Sequence, residues 1–291
     1  MKIKKKYQPY IYFIPTFLFV GIFMVYPMVS QFIIAFQHYR PFRSPAVYFS
    51  FVNFRQMLID EKFWLAARNT LVWVGGSLLF QFPLGFGAAF ILNKKIKGRS
   101  FFRSIFVLPW AIPPYLIGLT FVWLYHGRVG IINDVLIKLS LIERPIAFLA
   151  DKNIALTSII VVNIWYGIPF FIIMLLAAMQ SIPREVYEAA SIDGANEINK
   201  VFCIIIPMIK PAIINTLLLR TIWITNFGDL IYVMTKGGPA GHTNTLATYI
   251  MRAAYHKGDY GYAAAIALIL TIFLVIYAIF MIRLLRAKKH G

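Results

Sequence analysis

The sequence predicts an all-α transmembrane chain with six helical crossings, and three observations carry that expectation. Hydrophobic residues make up 60% of the 291 residues and the mean hydropathy is +0.71, well above what a soluble domain carries. A crossing of the hydrocarbon core needs about 20 mostly apolar residues, and runs of that kind lie at about 11–36, 70–92, 101–125, 155–179, 204–234 and 262–285. Charge is segregated from them. Only 14% of residues are charged, yet the net charge is +18, and Lys and Arg fall almost entirely between the apolar runs and at the ends. That is the distribution of orienting charge in a membrane protein. It lacks the basic face interleaved with aromatics that nucleic acid requires, so no nucleic-acid partner is expected.

The first run follows Lys2, Lys4, Lys5 and Lys6 and has the outline of a signal peptide, but it continues to Phe36 through Pro15 and Pro27 without a small-residue cleavage pattern. It is read as a retained first helix. Residues 37–68 then carry Phe42, Tyr48, Phe49, Phe51, Phe54, Phe63 and Trp64, which suit an interfacial anchor or a packed external cap. The second run, 70–92, is uninterrupted by charge. In the third, Pro109, Pro113 and Pro114 predict a broken or kinked helix, a hinge or a fixed packing geometry. The fourth holds Asn163, Trp165 and Tyr166 near its middle, beside Gly167 and Pro169. The fifth contains Pro207, Lys210, Pro211, Arg220 and Asp229, tolerated at membrane depth only where protein or a watery cavity surrounds them. The sixth ends in Arg283, Arg286, Lys288 and Lys289.

With the N-terminus inside, fifteen basic residues fall in cytoplasmic segments and twelve in the much longer outer loops. Their density therefore places both termini in the cytoplasm. The single cysteine, Cys203, excludes an intrachain disulfide and a cysteine metal cluster. No internal repeat or separate soluble domain is visible, and residues 1–291 are read as one transmembrane domain.

The stretch 181–211, SIPREVYEAASIDGANEINKVFCIIIPMIKP, lies on the cytoplasmic side of this topology. Ser181 is placed to cap a helix with Pro183 in its first turn. That helix runs through Glu185, Tyr187, Glu188, Ala189 and Ala190, and Gly194 ends it, since glycine accepts the left-handed conformation. Asp193 is placed to cap the next helix, which returns through Phe202 to the membrane, bent or restarted at Pro207 and Pro211. Residue physics alone thus predicts a helix, a tight turn and another helix.

Glu188-Ala189-Ala190, Asp193-Gly194-Ala195 three residues later, then Phe202, Pro207 and Pro211 resemble the cytoplasmic signature loop of binding-protein-dependent ABC importer permeases. The external stretch NFGDLIYVMTKGGPAGHTNTLATYIMRAAY, from Asn226 to Tyr255, is similar to the sugar-permease branch with maltose-type and glycerol-3-phosphate-type subunits. The resemblance spans roughly residues 8–288. It implies the six-helix importer permease fold, with the loop at about 181–203 as a coupling helix seated in a groove of a cytoplasmic ATPase. Glu188, Ala189, Ala190, Asp193, Gly194, Ala195, Pro207 and Pro211 are its coupling residues. Small side chains allow close approach, and Glu188 and Asp193 offer charge-assisted bonds; both acids also suit plain helix capping. The resemblance further implies a bacterial inner-membrane location, a second and usually homologous permease subunit, two ATPases, an extracytoplasmic solute-binding protein and a sugar-like substrate.

Intramembrane polar residues are the default pointers to a solute path, and Asn163, Trp165, Tyr166, Arg220, Thr225 and Asn226 are the candidates. Tryptophan and tyrosine would supply apolar faces to a sugar and the asparagines hydrogen bonds, while Arg220 suits an anionic solute. Asn and Thr in membrane helices also bond simply across helix interfaces. No G-x-x-x-x-G-K-[ST] pattern occurs. No cofactor is therefore expected in this chain, ATP and Mg being expected at the ATPase partners, and the chain is read as non-catalytic. A secondary transporter or channel would share the polar helices but has no use for the loop, and an amino-acid or peptide permease differs only outside it.

Overall fold

The computed structural model describes residues 8–41, 44–47, 49–94 and 96–286. Lys2, Lys4, Lys5, Lys6, Phe42, Arg43, Tyr48, Lys95, Lys288 and Lys289, which entered the charge and aromatic patterns, lie outside the described residues. Helix dominates, because backbone in lipid must satisfy its own N–H and C=O groups. Five helices are long and apolar enough to cross a membrane, and six crossings result when one bent pair counts as a single span.

The first span joins α1 (Gln8–Val20) to α2 (Tyr26–Ala35) through a π-turn at Gly21–Val25, which precedes Pro27 in the first turn of α2. A short antiparallel hairpin follows, β1 (His38–Arg40) with β2 (Ser44–Val47), then α3 (Val52–Ile59). The next helix, α4 (Glu61–Asn93), begins well before the expected residue 70. Glu61 favours its first turn, and Phe63, Ala66 and Asn69 bury one face of the extension. The chain breaks where the prolines predict: α5 (Arg99–Val107) and α6 (Pro114–Leu124) meet at 91° around a 3₁₀ turn at Leu108–Ala111. Pro113 has no N–H to give and stands in an extended conformation.

Outside the expected crossings lies α7 (Ile131–Lys138), where Asn133 clamps the following loop by exchanging two bonds with the Ile146 backbone. Then come α8 (Ala155–Gln180), α9 (Arg184–Ile192), α10 (Glu197–Asn199), a π-turn at Lys200–Ile205 and α11 (Ile206–Met208). The fifth apolar run is not one helix. Its first residues belong to the π-turn and α11, and α12 (Lys210–Asn226) and α13 (Asp229–Thr235) are separated at Phe227 and Gly228. Finally α14 (Leu246–Met251) leads through a π-turn at Arg252–His256 to α15 (Tyr260–Arg286).

The chain condenses into two compact units, one from residues up to Glu61 with Tyr249–Ile272, the other from Lys62–Thr248 with the residues from Phe273 onward. In the first, the small side chains of Ala35, Ala264 and Ala265 are buried together, flanked by Phe36, Phe54 and Leu268. Small residues of this kind let helix backbones approach closely. Phe36 has the rings of Phe49, Phe51 and Phe54 around it, with Phe49 and Phe51 still 89% and 71% exposed. Asn53 Nδ2 donates to the carbonyls of Ala35 and Gln37 at 2.9 and 2.8 Å, satisfying orphan groups at the end of α2. Asp259 receives Arg40 at 2.9 and 2.6 Å and accepts the Tyr262 N–H at 3.1 Å. Asp60 accepts the hydroxyls of Tyr249 and Tyr262 at 2.5 and 2.7 Å. Burial, then Asp60, push the Tyr249 hydroxyl well above the usual tyrosine range, so it stays a donor.

The second unit has two apolar cores, one around Phe171, Leu175, Leu176, Met179 and Ile205, the other around Trp73, Ile159, Val162, Ile224 and Leu230. The loop after α13, which contains the Gly237-Gly238-Pro239 turn cluster and runs on to Leu246, is pinned to α4. Asn69 donates to the His242 and Asn244 carbonyls at 2.9 and 3.0 Å, and Thr70 accepts the Leu246 N–H at 2.8 Å.

Candidate functional site

Inside the second unit, α4, α8 and α12 meet through a relay of buried polar side chains. Arg220 Nε donates to Gln81 Oε1 at 2.9 Å, Gln81 Nε2 to the Asn163 carbonyl at 2.7 Å, and Asn163 Nδ2 to Ser77 Oγ at 2.8 Å. Ser77, Gln81 and Asn163 have no exposed surface and Arg220 is 4% exposed. The guanidinium can lie here because position 167 is glycine: a Cβ there would collide with Arg220 Nη2 and the Gln81 amide. Its carbon lies 5.8 Å from the centre of the Phe170 ring. Among the described residues, Arg220 Nη2 and Asn163 Oδ1 are buried without a hydrogen-bond partner, and no ion pair neutralises Arg220.

Arg220 also lines a cavity of about 410 Å³, with Trp110, Tyr166, Ile222, Trp223, Ile224, Asn226 and Phe227. Trp110 lies 6.3 Å from Trp223, and Tyr166 stacks on Phe227 with ring centres 5.8 Å apart. Asn226 donates to the Ile222 carbonyl one turn back at 2.9 Å. The wall is thus aromatic, with one cation and one amide.

Of the residues expected on a solute path, Tyr166, Arg220 and Asn226 share this cavity. Asn163 stands behind it in the relay. Trp165 does not belong: one residue along a helix is about 100° of rotation, and Trp165 turns away, 43% exposed and 5.7 Å from Phe121. Thr225 does not belong either, since it is buried with its hydroxyl donating to the Thr221 carbonyl at 2.7 Å. Sequence reasoning missed Ser77, Gln81, Trp110, Trp223 and Phe227. Gln81, an amide amid an apolar run, carried the same membrane-depth signal as Asn163. The tryptophans carried none, because aromatic residues are ordinary in apolar helices.

At the other end of α8, Ser181 does not cap the following helix. It ends α8, donating Oγ to the Ala178 carbonyl at 2.8 Å, and Pro183 precedes α9 directly. Val186 and Tyr187 on α9 pack against the core containing Leu92, Leu176, Met179 and Ile182. Burial pushes the Tyr187 hydroxyl above the ordinary tyrosine range, and it donates to the Met179 carbonyl at 3.4 Å. Ala190 packs inward, 8% exposed, so it contributes to this seating and not to an outer surface. Asp193 ends α9, and Asn196 caps α10 instead, accepting the Asn199 N–H at 2.8 Å. The reason is local: Gly194 takes φ +78° and the next two residues unwind before a new helix starts.

Exposed on this turn are Glu188, Ala189, Asp193 and Gly194, with Ala195 half-buried. Three large apolar side chains stand beside them: Ile192 at 86%, Ile198 at 67% and Phe202 at 66% exposed. Pro207 and Pro211 are not part of the turn. They open α11 and α12 and border a separate groove of about 480 Å³ with Lys210, Asn215 and Arg286. Glu197 bridges Lys94 at 2.5 Å and Lys200 at 3.2 Å, and the Lys94 bond first, then Lys200, hold its carboxyl below the usual range. With Arg99, Arg184, Tyr187 and Glu188 these residues line a cavity of about 660 Å³.

The trehalose/maltose transport system permease protein MalF of Thermococcus litoralis is 30% identical over 289 residues, covering 99% of this chain and 97% of that protein. The sulfoquinovosyl glycerol transport system permease protein SmoG of Agrobacterium fabrum is 35% identical over 84% of this chain and 79% of its own length. A solved bacterial ABC transporter involved in the import of the acidic polysaccharide alginate superposes with a TM-score of 0.86. It is 27% identical, over 99% of this chain and 98% of that one. The model of the binding-protein-dependent transport system inner membrane component matches residues 81–290, which take in the relay from Gln81 onward, the cavity and the exposed turn. With that match and relatives that run almost end to end, the chain belongs to the family of binding-protein-dependent transport system inner membrane components, as a multi-pass permease subunit.

Proposed function

We propose that this chain is one half of the permease of an ATP-driven importer that carries a saccharide inward by alternating access along a path lined by Tyr166, Arg220 and Asn226. The observation that carries the reading is the aromatic-walled cavity of about 410 Å³ at the level of the fourth and fifth crossings. Apolar ring faces suit the CH faces of a sugar, and a few convergent polar groups suit its hydroxyls. The relatives named for trehalose and maltose, for sulfoquinovosyl glycerol and for alginate support a sugar or oligosaccharide as cargo. Asn163 acts behind the wall, holding Gln81 and through it Arg220.

The partners are a second, homologous permease subunit, two ATPase subunits and an extracytoplasmic binding protein. A related structure holds an alginate pentasaccharide-bound periplasmic protein, which supports the last. This chain contributes no catalytic group, and ATP and Mg belong to the ATPases, in keeping with the missing phosphate-binding motif. Both termini lie in the cytoplasm, where α9 and the turn at Asp193, Gly194 and Ala195 seat in an ATPase groove. The exposed Ile192, Ile198 and Phe202 give that seat apolar contact, and Glu188 and Asp193 give it charged bonds.

The test is purification in mild detergent from the native membrane, identification of the copurifying chains, and ATPase assays with candidate sugars and their binding protein. An ATPase and a second permease in the complex, with sugar-stimulated hydrolysis, support the proposal. A chain that purifies alone and transports in liposomes without ATP overturns it in favour of a secondary transporter.

A further inference from the structure

We infer that the saccharide carried is acidic and that Arg220 is the residue that receives its carboxylate; the inference rests on the importer reading above. A guanidinium that is 4% exposed at membrane depth is costly unless an anion compensates it. The surroundings of Arg220 are neutral: Gln81 on Nε, the Phe170 ring, Gly167, and Tyr166. Among the described residues no Asp or Glu pairs with it. The apolar runs that supply the relay contain no acid between Lys62 and Asn93 or between Ala155 and Gln180, and in the fifth the acid is Asp229, exposed nine residues further on.

The same side chain forms part of the wall of the 410 Å³ cavity, within the usual range of about 300–1,000 Å³ for small-ligand sites. Gln81 holds Nε and the Phe170 ring lies beside the guanidinium, and a positioned cation of this kind draws a carboxylate more strongly than a neutral hydroxyl. Trp110, Trp223 and Phe227 supply ring faces in the same wall. A neutral sugar would stack on those rings and leave the buried charge unpaired. A uronate satisfies both, so the site discriminates by charge.

The purified permease–ATPase complex is titrated with a uronic-acid trisaccharide and with its carboxyl-reduced, neutral counterpart, following calorimetry and tryptophan fluorescence. The uronate is expected to bind about tenfold or more tighter, as charge-assisted bonds imply. Arg220→Gln is expected to bring the ratio to about one and Arg220→Lys to retain part of it. Equal binding of the two sugars by the wild-type complex overturns the inference without any variant having to fold. That is the result expected if a carboxylate of the second permease subunit neutralises Arg220. Preference surviving in Arg220→Gln, or binding of neither sugar, also overturns it. ATP hydrolysis stimulated only by neutral sugars leaves the importer reading standing alone, and no stimulation by any saccharide removes both.

Discussion

Gly194 separates what a coupling turn costs its own chain from what it costs a partner. The residue has φ +78°, and a Cβ placed on it would find no atom within 4 Å. Every L residue with a Cβ therefore meets the same backbone penalty there, about 1–2 kcal/mol for the left-handed region, with Asn the exception that tolerates it. A Cβ itself adds no steric cost within the chain, so Gly194→Ala isolates the backbone penalty. The informative variants are Gly194→Asn, Gly194→Ala and Gly194→Trp. If the turn seats in an ATPase groove, Asn stays near wild type and Ala loses up to about five- to thirtyfold in coupling, the equivalent of 1–2 kcal/mol. Trp, at the same backbone cost, abolishes coupling because its bulk meets the partner. The assay is saccharide-stimulated ATP hydrolysis by the reconstituted complex, with membrane insertion and copurification of the ATPase measured alongside. Trp and Ala variants of equal activity would refute the reasoning, because the loss would then be conformational and no partner need touch the turn.

A Cβ on Gly85 would run into Phe171 Cβ on α8, so Gly85→Ala should cost about 1–3 kcal/mol by overpacking, whereas Gly75→Ala on the same helix meets nothing; thermal unfolding in detergent should fall for the first and hold or rise for the second. Trp223→Ala should lower uptake about tenfold by removing a ring from the cavity, while Trp165→Ala, on the far face, should leave uptake within about twofold; the reverse order would mean the path runs elsewhere. Glu197 has a carboxyl held below the usual range by Lys94 and Lys200, so the support its ion pairs lend residues 184–205 is present above the ordinary carboxylate pKa, about 4.3, and is lost as pH falls through the lowered value. Hydrogen exchange of that segment should be unchanged from pH 8 to 5 and rise only below about pH 4, and Glu197→Gln should show the acid behaviour at neutral pH. The size is modest, at most about 1 kcal/mol, because Glu197 is 53% exposed.

Much of the membrane architecture was legible because lipid imposes its rule one segment at a time. An apolar run such as 155–179 has a single stable outcome, and α8 at Ala155–Gln180 follows it closely. Prolines speak locally too, which is why the bend between α5 and α6 falls at Pro109 and Pro113. Gly194 ended α9 for the same kind of reason. Capping was less legible. Ser181, Asp193 and Asn196 are all competent caps, and the choice among them depends on where the helix is pulled by Val186 and Tyr187 docking on the core. The start of α4 was missed by about nine residues because its first turns are amphipathic, and the hydropathy of that stretch does not distinguish a loop from a helix buried on one face.

The sequence by itself determined the solvent, the number of apolar segments, the helix-turn-helix between the fourth and fifth of them, and the presence of an arginine that lipid alone would not accept. Only the tertiary structure decided which polar residues meet. Asn163 and Arg220 are far apart in the chain and are joined through Gln81 of a third helix. Adjacent Trp165 and Tyr166 are parted by the rotation of one helical step. Helical phase and helix packing are properties of several segments at once. A linear pattern records neither, and so the relay and the cavity wall became visible only when α4, α8 and α12 were placed side by side.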